Sequence, residues 1–297
     1  MKFSDLRIYI KNIASQKKFS EASKELMNVI FDLNKFELIP IITEIGSIPE
    51  DIEHDSSEEK LYTKVSDIIL AKIFIELGLK SLVLTERANC ADVFVESIYH
   101  NYSLVADAKA FRLSRTAKNQ KDFKVESMVH WKKDNDYSVL CSPYFQYPKS
   151  KSQIYSSALE GNVSLFSWEY FYILLSENIK ESVDCNLSDL WNYSKIASNS
   201  TLVSESQLSF LCTQNEYFCQ SLGISNYKFT EYFSIFKERI VDRCQKEIKY
   251  WENEKINIKS LSREEAVCKL IKSLKLNEKI NAINTYSNKL RGNNGNK

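Results

Sequence analysis

Two residues in the run Leu104-Val105-Ala106-Asp107-Ala108-Lys109-Ala110-Phe111 have the types and spacing to do chemistry. Read as a β-strand, the run places Val105, Asp107, Lys109 and Phe111 on one face and Leu104, Ala106, Ala108 and Ala110 on the other. Asp107 and Lys109 then enter the same space, two strand rises apart, roughly 6.5–7 Å. An acid and a lysine among apolar neighbours are costly to place on a central strand without a use for them. Further acids lie upstream. Asp92 heads the run Val93-Phe94-Val95, and Glu86 stands six residues before it. If the two strands pair, Asp92 meets Asp107 at one end of the sheet.

Convergent carboxylates without a histidine or thiol partner suit a hard, oxygen-ligated ion, Mg²⁺ rather than Zn²⁺. His54, His100 and His130 are the only histidines, and none is expected to join the cluster. An ion held by Asp92, Asp107 and the backbone carbonyl of Ala108 would polarise a phosphate and acidify water. Lys109 would orient that water, take its proton if its own pKa were depressed, or stabilise developing charge. The chemistry is phosphodiester hydrolysis. Asp-x-Lys alone also fits an ordinary strand with a surface ion pair.

The residues that follow favour nucleic acid. Arg112, Arg115, Lys118, Lys121 and Lys124 recur every third residue, interrupted by a single acid, Asp122. Ser114, Thr116, Asn119 and Gln120 lie among them. Arg and Lys neutralise phosphates, while the Asn119 amide can pair bidentately with adenine in the major groove. A solvated basic turn would read the same way. Beyond it, Tyr144-Phe145-Gln146-Tyr147-Pro148 is expected mainly to pack, with Gln146 as a second candidate for contact with DNA.

The elements that must position these groups are an α/β core with a mixed sheet, flanked by helical N- and C-terminal regions. Residues 1–80 read as mainly helical, 81–168 as the catalytic core and 169–297 as helical, in a single nuclease domain. Leu26, Ile30 and Leu33 mark a helix over 19–38, broken at Pro40 and Pro49. Ser56 and Glu59 form a capping box that opens a second helix, with the stripe Leu61, Val65, Ile68, Ile69, Ile73, closed by Gly78. Strands are expected at 81–84, 93–95, 104–111, 137–141 and 163–166, with helices over 123–131 and 152–160 between them. Beyond Trp168 the chain is helical again. A long helix is expected over 227–253, and Ser262 with Glu265 caps another.

Composition limits the alternatives. Of 297 residues, 43% are hydrophobic and 27% charged, the make-up of an ordinary globular chain. Six Gly and four Pro leave little material for turns, which weighs against an all-β fold. The formal charge of +1 means any DNA surface must be local. Seven scattered cysteines without ligand spacing imply reduced thiols and a cytoplasmic protein. No stretch approaches the ~20 apolar residues a membrane helix needs, so no membrane span is expected, and no organic cofactor either.

The stretch from Leu104 to Lys109, continuing through Phe111-Arg112-Leu113-Ser114-Arg115-Thr116-Ala117-Lys118-Asn119-Gln120-Lys121-Asp122-Phe123-Lys124-Val125, resembles the HindIII family of type II restriction endonucleases, in the PD-(D/E)xK superfamily. Further likeness falls at Glu59-Lys60-Leu61, Asp67-Ile68, Phe145-Gln146-Tyr147-Pro148 and Leu165-Phe166-Ser167-Trp168-Glu169, within residues 20–192, with a fainter echo at 262–266. The resemblance implies a restriction-endonuclease-like fold, Mg²⁺ dependence, a homodimer, and cleavage of double-stranded DNA at AAGCTT. It assigns catalysis to Asp92, Asp107 and Lys109. Ala91 stands where the superfamily has proline, and Glu86 remains a rival or accessory acid. A structure-selective repair nuclease, or a DNA-binding protein with an inert site, are the alternatives.

Overall fold

A computed structural model describes residues 1–84, 90–115, 120–149, 152–198 and 207–292. Three helices open the chain: α1 (Phe3–Gln16), α2 (Phe19–Phe31) and α3 (Lys35–Ile45). The expected break at Pro40 is displaced to residues 32–34. There the Asn34 side chain accepts from Phe36 N (2.9 Å) and Glu37 N (3.2 Å), while Glu37 Oε2 accepts from Asn34 N (3.2 Å). That capping box outweighs the one hydrogen bond Pro40 forfeits inside α3.

After the short β1 (Ser47–Ile48) comes α4 (Ser57–Glu76), capped by Ser56 as expected: its Oγ accepts from Glu59 N (3.0 Å). The helix is buried on nearly every side. Strands β2 (Lys80–Val83), β3 (Val93–Glu96), β4 (Ser103–Ala108) and β5 (Phe111–Arg112) follow, then α5 (Gln120–Phe123), α6 (Val125–Lys132) and β6 (Tyr137–Ser142). A 3₁₀ turn at Tyr144–Gln146 leads to α7 (Gln153–Gly161), β7 (Val163–Ser167) and α8 (Trp168–Ser176). The remainder is helical: α9 (Ser188–Trp191), α10 (Tyr193–Ser198), α11 (Gln207–Leu222), α12 (Asn226–Ser260), α13 (Arg263–Ser273) and α14 (Leu276–Gly292).

Five strands form the mixed sheet in the order β2-β3-β4-β6-β7. The pairs from β2 to β4 are antiparallel, and those from β4 to β7 are parallel. β4 is central, with five of its six residues buried. Its faces divide as the alternation requires. Leu104, Ala106 and Ala108 join the core built around α4, while Val105 joins a second core with Leu140, Met128 and Tyr155. The strand is shorter than expected. Lys109 N–H still donates to Cys141 O (2.7 Å), but Phe111 N–H turns away to Gly46 O (3.0 Å), and β5 pairs with β1. Gly46 is required at this corner. A Cβ there would lie 2.7 Å from both Pro143 Cγ and Trp168 Cδ1.

By compactness the chain divides into two units, Met1–Cys244 and Gln245–Lys297. No described helix is long and apolar enough to cross a membrane.

Candidate active site

The register between β3 and β4 builds the site. Val93 lies opposite Ala106, so one step further along the antiparallel pair Asp92 reaches Asp107. A third carboxylate arrives from α4. Asp67 is buried, and its Oδ1 accepts the Ala108 backbone N–H (3.2 Å). One carboxylate oxygen from each of Asp67, Asp92 and Asp107 lies within 4.8 Å of the other two.

Two lysines face these acids. Lys109 Nζ contacts Asp107 Oδ2, which bears out the shared space inferred from the strand alternation. Lys64, one turn before Asp67 on α4, donates to Asp92 Oδ1 (2.8 Å) and Leu84 O (3.3 Å). Trp168 Nε1–H donates to Lys109 O (3.3 Å) and fixes the backbone just past β4.

Three acids against two cations leave the cluster short of positive charge. Burial, and then the charges of Asp92 and Asp107, push the Asp67 carboxyl well above the usual carboxylate range. Burial also raises Asp107, against the pull of Lys109 and with Asp92 adding to the rise. Burial acts upward on Asp92 as well, but the neighbouring Lys64 ammonium outweighs it and holds that carboxyl low. Burial would depress Lys109, yet Asp107 and the other acids raise it. In this state Lys109 is a charged donor rather than a poised base.

Such a donor set fits a hard divalent cation. All three side chains offer oxygen, and two of them resist ionisation until positive charge arrives. The cluster can hold a metal ion beside a lysine at the end of a rigid central strand.

The model of the HindIII restriction endonuclease family matches residues 12–287. The chain is also 41% identical, over 284 residues, to the type II restriction enzyme HindIII of Haemophilus influenzae, covering 96% of this chain and 94% of that protein. The chain belongs to the HindIII restriction endonuclease family. It is accordingly a type II restriction endonuclease, a hydrolase of DNA. The family match extends well beyond residues 20–192 and takes in the C-terminal helices, where little likeness was expected.

The other expected site residues are distributed unevenly. Glu86, Lys118 and Asn119 lie outside the described residues. Arg115 is exposed and contacts Asp122, while Lys121 and Lys124 are also exposed; Lys124 Nζ stands 5.8 Å from the Trp131 ring centre. Arg112 is a different case from the surface cation expected. Only 6% exposed, it donates to Pro49 O (2.9 Å), Ile52 O (2.7 Å) and Glu59 Oε1 (2.6 Å). Its charge is spent tying β5 to the loop before α4. Ser114 does likewise, donating from N and Oγ to the buried Glu50 (2.9 and 2.8 Å).

Around Gln146 the aromatic residues pack, as the sequence favoured. The Tyr144 and Phe233 rings meet edge to face at 4.8 Å, and buried Tyr147 donates to Phe166 O (2.8 Å). Gln146 Oε1 is buried there without a hydrogen-bond partner.

Sequence reasoning missed Asp67 and Lys64. The available signal was Asp67 itself, an acid followed by the apolar run Ile68-Ile69-Leu70-Ala71 on a helix too hydrophobic to have a wet face.

Proposed function

We propose that this chain hydrolyses both strands of double-stranded DNA at the palindrome AAGCTT, as a Mg²⁺-dependent homodimer acting in the cytoplasm without an organic cofactor. The observation that carries the reading is the buried cluster Asp67, Asp92 and Asp107 with Lys109 in contact, in a member of the HindIII family. The relative's name supplies the restriction activity, and the resemblance supplies the site and the dimer.

Asp67, Asp92, Asp107 and the carbonyl of Ala108 would hold Mg²⁺, with Glu86 as a further candidate acid. When bound, the ion supplies positive charge beside the phosphate and makes water more acidic. Lys109, charged and held by Asp107, orients the attacking water and stabilises the negative charge that develops on the phosphate oxygens. The water oxygen forms a bond to phosphorus, one P–O ester bond breaks, and the leaving oxygen takes up a proton. Arg115, Lys118, Lys121 and Lys124 meet backbone phosphates, Asn119 reads a base edge, and Gln146 is the second candidate for base contact. Arg112 instead ties β5 to the loop before α4.

The test is a plasmid digest with Mg²⁺ and with EDTA, followed by sequencing of the fragment ends. Discrete fragments ending within AAGCTT, formed only with the metal, are expected. A smear would mean cutting without sequence choice, and intact plasmid in Mg²⁺ would mean an inert site.

A further inference from the structure

We propose that the C-terminal unit, Gln245–Lys297, is the surface through which two copies of this chain pair. The inference rests on the reading of the chain as a palindrome-cutting nuclease and names the face that the dimer uses.

Among the described residues, no side chain from Gln245 onward is buried. Among the described residues, eleven of the twenty exposed large hydrophobics nevertheless fall within this segment of 53 residues. Their spacing is helical. On α12, Ile248, Trp251 and Ile258 are separated by three and seven residues and are 57%, 46% and 47% exposed. On α14, Leu276, Ile280 and Ile283 are separated by four and three. Intervals of three and four place such residues in one row along each helix, the pattern that packs against another helix. Among the described residues α13 has no buried side chain and α12 has none beyond Arg243, and helical stretches without a buried face are marginal in water, so these rows call for a partner.

Charge indicates which partner. From residue 245 onward the sequence holds twelve Lys and Arg against six Asp and Glu. The preceding 244 residues hold 28 against 33. A second copy therefore offers the basic unit both an acidic body and a matching set of apolar rows. DNA phosphates would satisfy the charge but leave the rows in water. The chemistry asks for a second copy as well: among the described residues each chain has a single acidic cluster, and a palindrome presents two equivalent bonds to cut.

The experiment compares the full-length chain with two double variants, Ile248→Glu with Trp251→Glu, and Ile280→Glu with Ile283→Glu. Sedimentation equilibrium reads mass across a wide concentration range, and circular dichroism with the Mg²⁺-induced rise in Tm reads the fold. A dimeric parent is expected, with the dissociation constant raised about a hundredfold or more in each variant and the Mg²⁺ response unchanged. Variants that stay dimeric with the parent's constant would overturn the proposal, as would a parent that is monomeric both free and on DNA. Variants that stay dimeric but lose affinity for all DNA would overturn it too and make the unit a DNA arm. A parent that pairs through these helices but cuts no DNA would sink the nuclease reading while leaving the pairing face in place.

Discussion

The backbone N–H of Ala108 donates to Oδ1 of Asp67 across 3.2 Å, joining a helix laid down early in the chain to the end of the central strand. Asp67 therefore has two jobs, one as a hydrogen-bond acceptor and one as a carboxyl facing Asp92 and Asp107 that ionises when positive charge arrives. Substitution separates them. Asp67→Asn keeps an acceptor and removes the charge, so folding should survive while Mg²⁺-dependent cleavage falls by about 10²-fold or more. Asp67→Ala should in addition leave a buried N–H unpaired, costing about 1–3 kcal/mol in urea unfolding. Cleavage by Asp67→Asn at the parent's rate would remove Asp67 from the metal set.

Lys109→Ala should slow cleavage by about 10²–10³-fold, since water orientation and charge stabilisation are each worth that order. DNA binding in Ca²⁺, which occupies such sites without supporting efficient cutting, should hardly change. A collapse of binding would make Lys109 mainly a phosphate contact.

Metal binding should be visible as stability. Mg²⁺ competes with protons for carboxyls that burial keeps protonated, so its rise in Tm should be large at about pH 8 and small at about pH 5.5. EDTA should reverse it, and Asp67→Asn should blunt it. An equal rise at both pH values would place the ion elsewhere.

Glu169 gives a separate pH signature. Fully buried at the start of α8, it accepts from Tyr144 N (3.0 Å), and burial raises its carboxyl from 4.5 to about 7. Between those values the folded chain keeps a proton that the unfolded chain has released. Stability is thus greatest below the unfolded value and is lost as pH rises to about 7, by about 3 kcal/mol in all. Asp67 and Asp107 add a loss of the same sign. Glu169→Gln should make the slope shallower by its own share, read as urea midpoints from about pH 5 to about pH 8.

Arg112 and Lys121, nine residues apart in the basic run, should respond in opposite ways. Arg112→Ala removes one of the partners of Glu59 and the donor to three buried carbonyls, and should destabilise by about 3 kcal/mol in urea unfolding. Lys121→Ala, at an exposed position, should cost at most about 1 kcal/mol, weaken binding to all duplexes alike, and flatten the salt slope by about one unit. A stable Arg112→Ala with impaired DNA binding would return that residue to the groove.

The Asp107–Lys109 strand was legible because a period of two fixes which side chains share a face, and the helix starts at Ser56 and Ser262 because caps are local; the box closes at Ser262, whereas Glu59 turns its carboxylate to Asp55 N–H and Arg112 instead of Ser56 N–H. Asp67 was not legible, since its role depends on α4 crossing β4, a contact across 41 residues. Arg112 was misjudged for a related reason: a cation looks solvated in sequence until the fold brings Pro49, Ile52 and Glu59 around it. Pro40 shows a local rule yielding to its neighbours, because the Asn34 cap restarts the helix six residues upstream of the proline. The rows on α12 and α14 have the spacing of core residues yet are exposed among the described residues, which periodicity alone cannot reveal.

The three acids of the cluster come from separate stretches of chain, 25 and 15 residues apart, and meet only when α4 is docked and the antiparallel pair is in register. Among the described residues, no short segment contains the whole cluster. A chain in which α4 and the β3–β4 pair have not yet met lacks it. The acidic cluster is thus a property of the assembled fold and of no isolated piece of sequence.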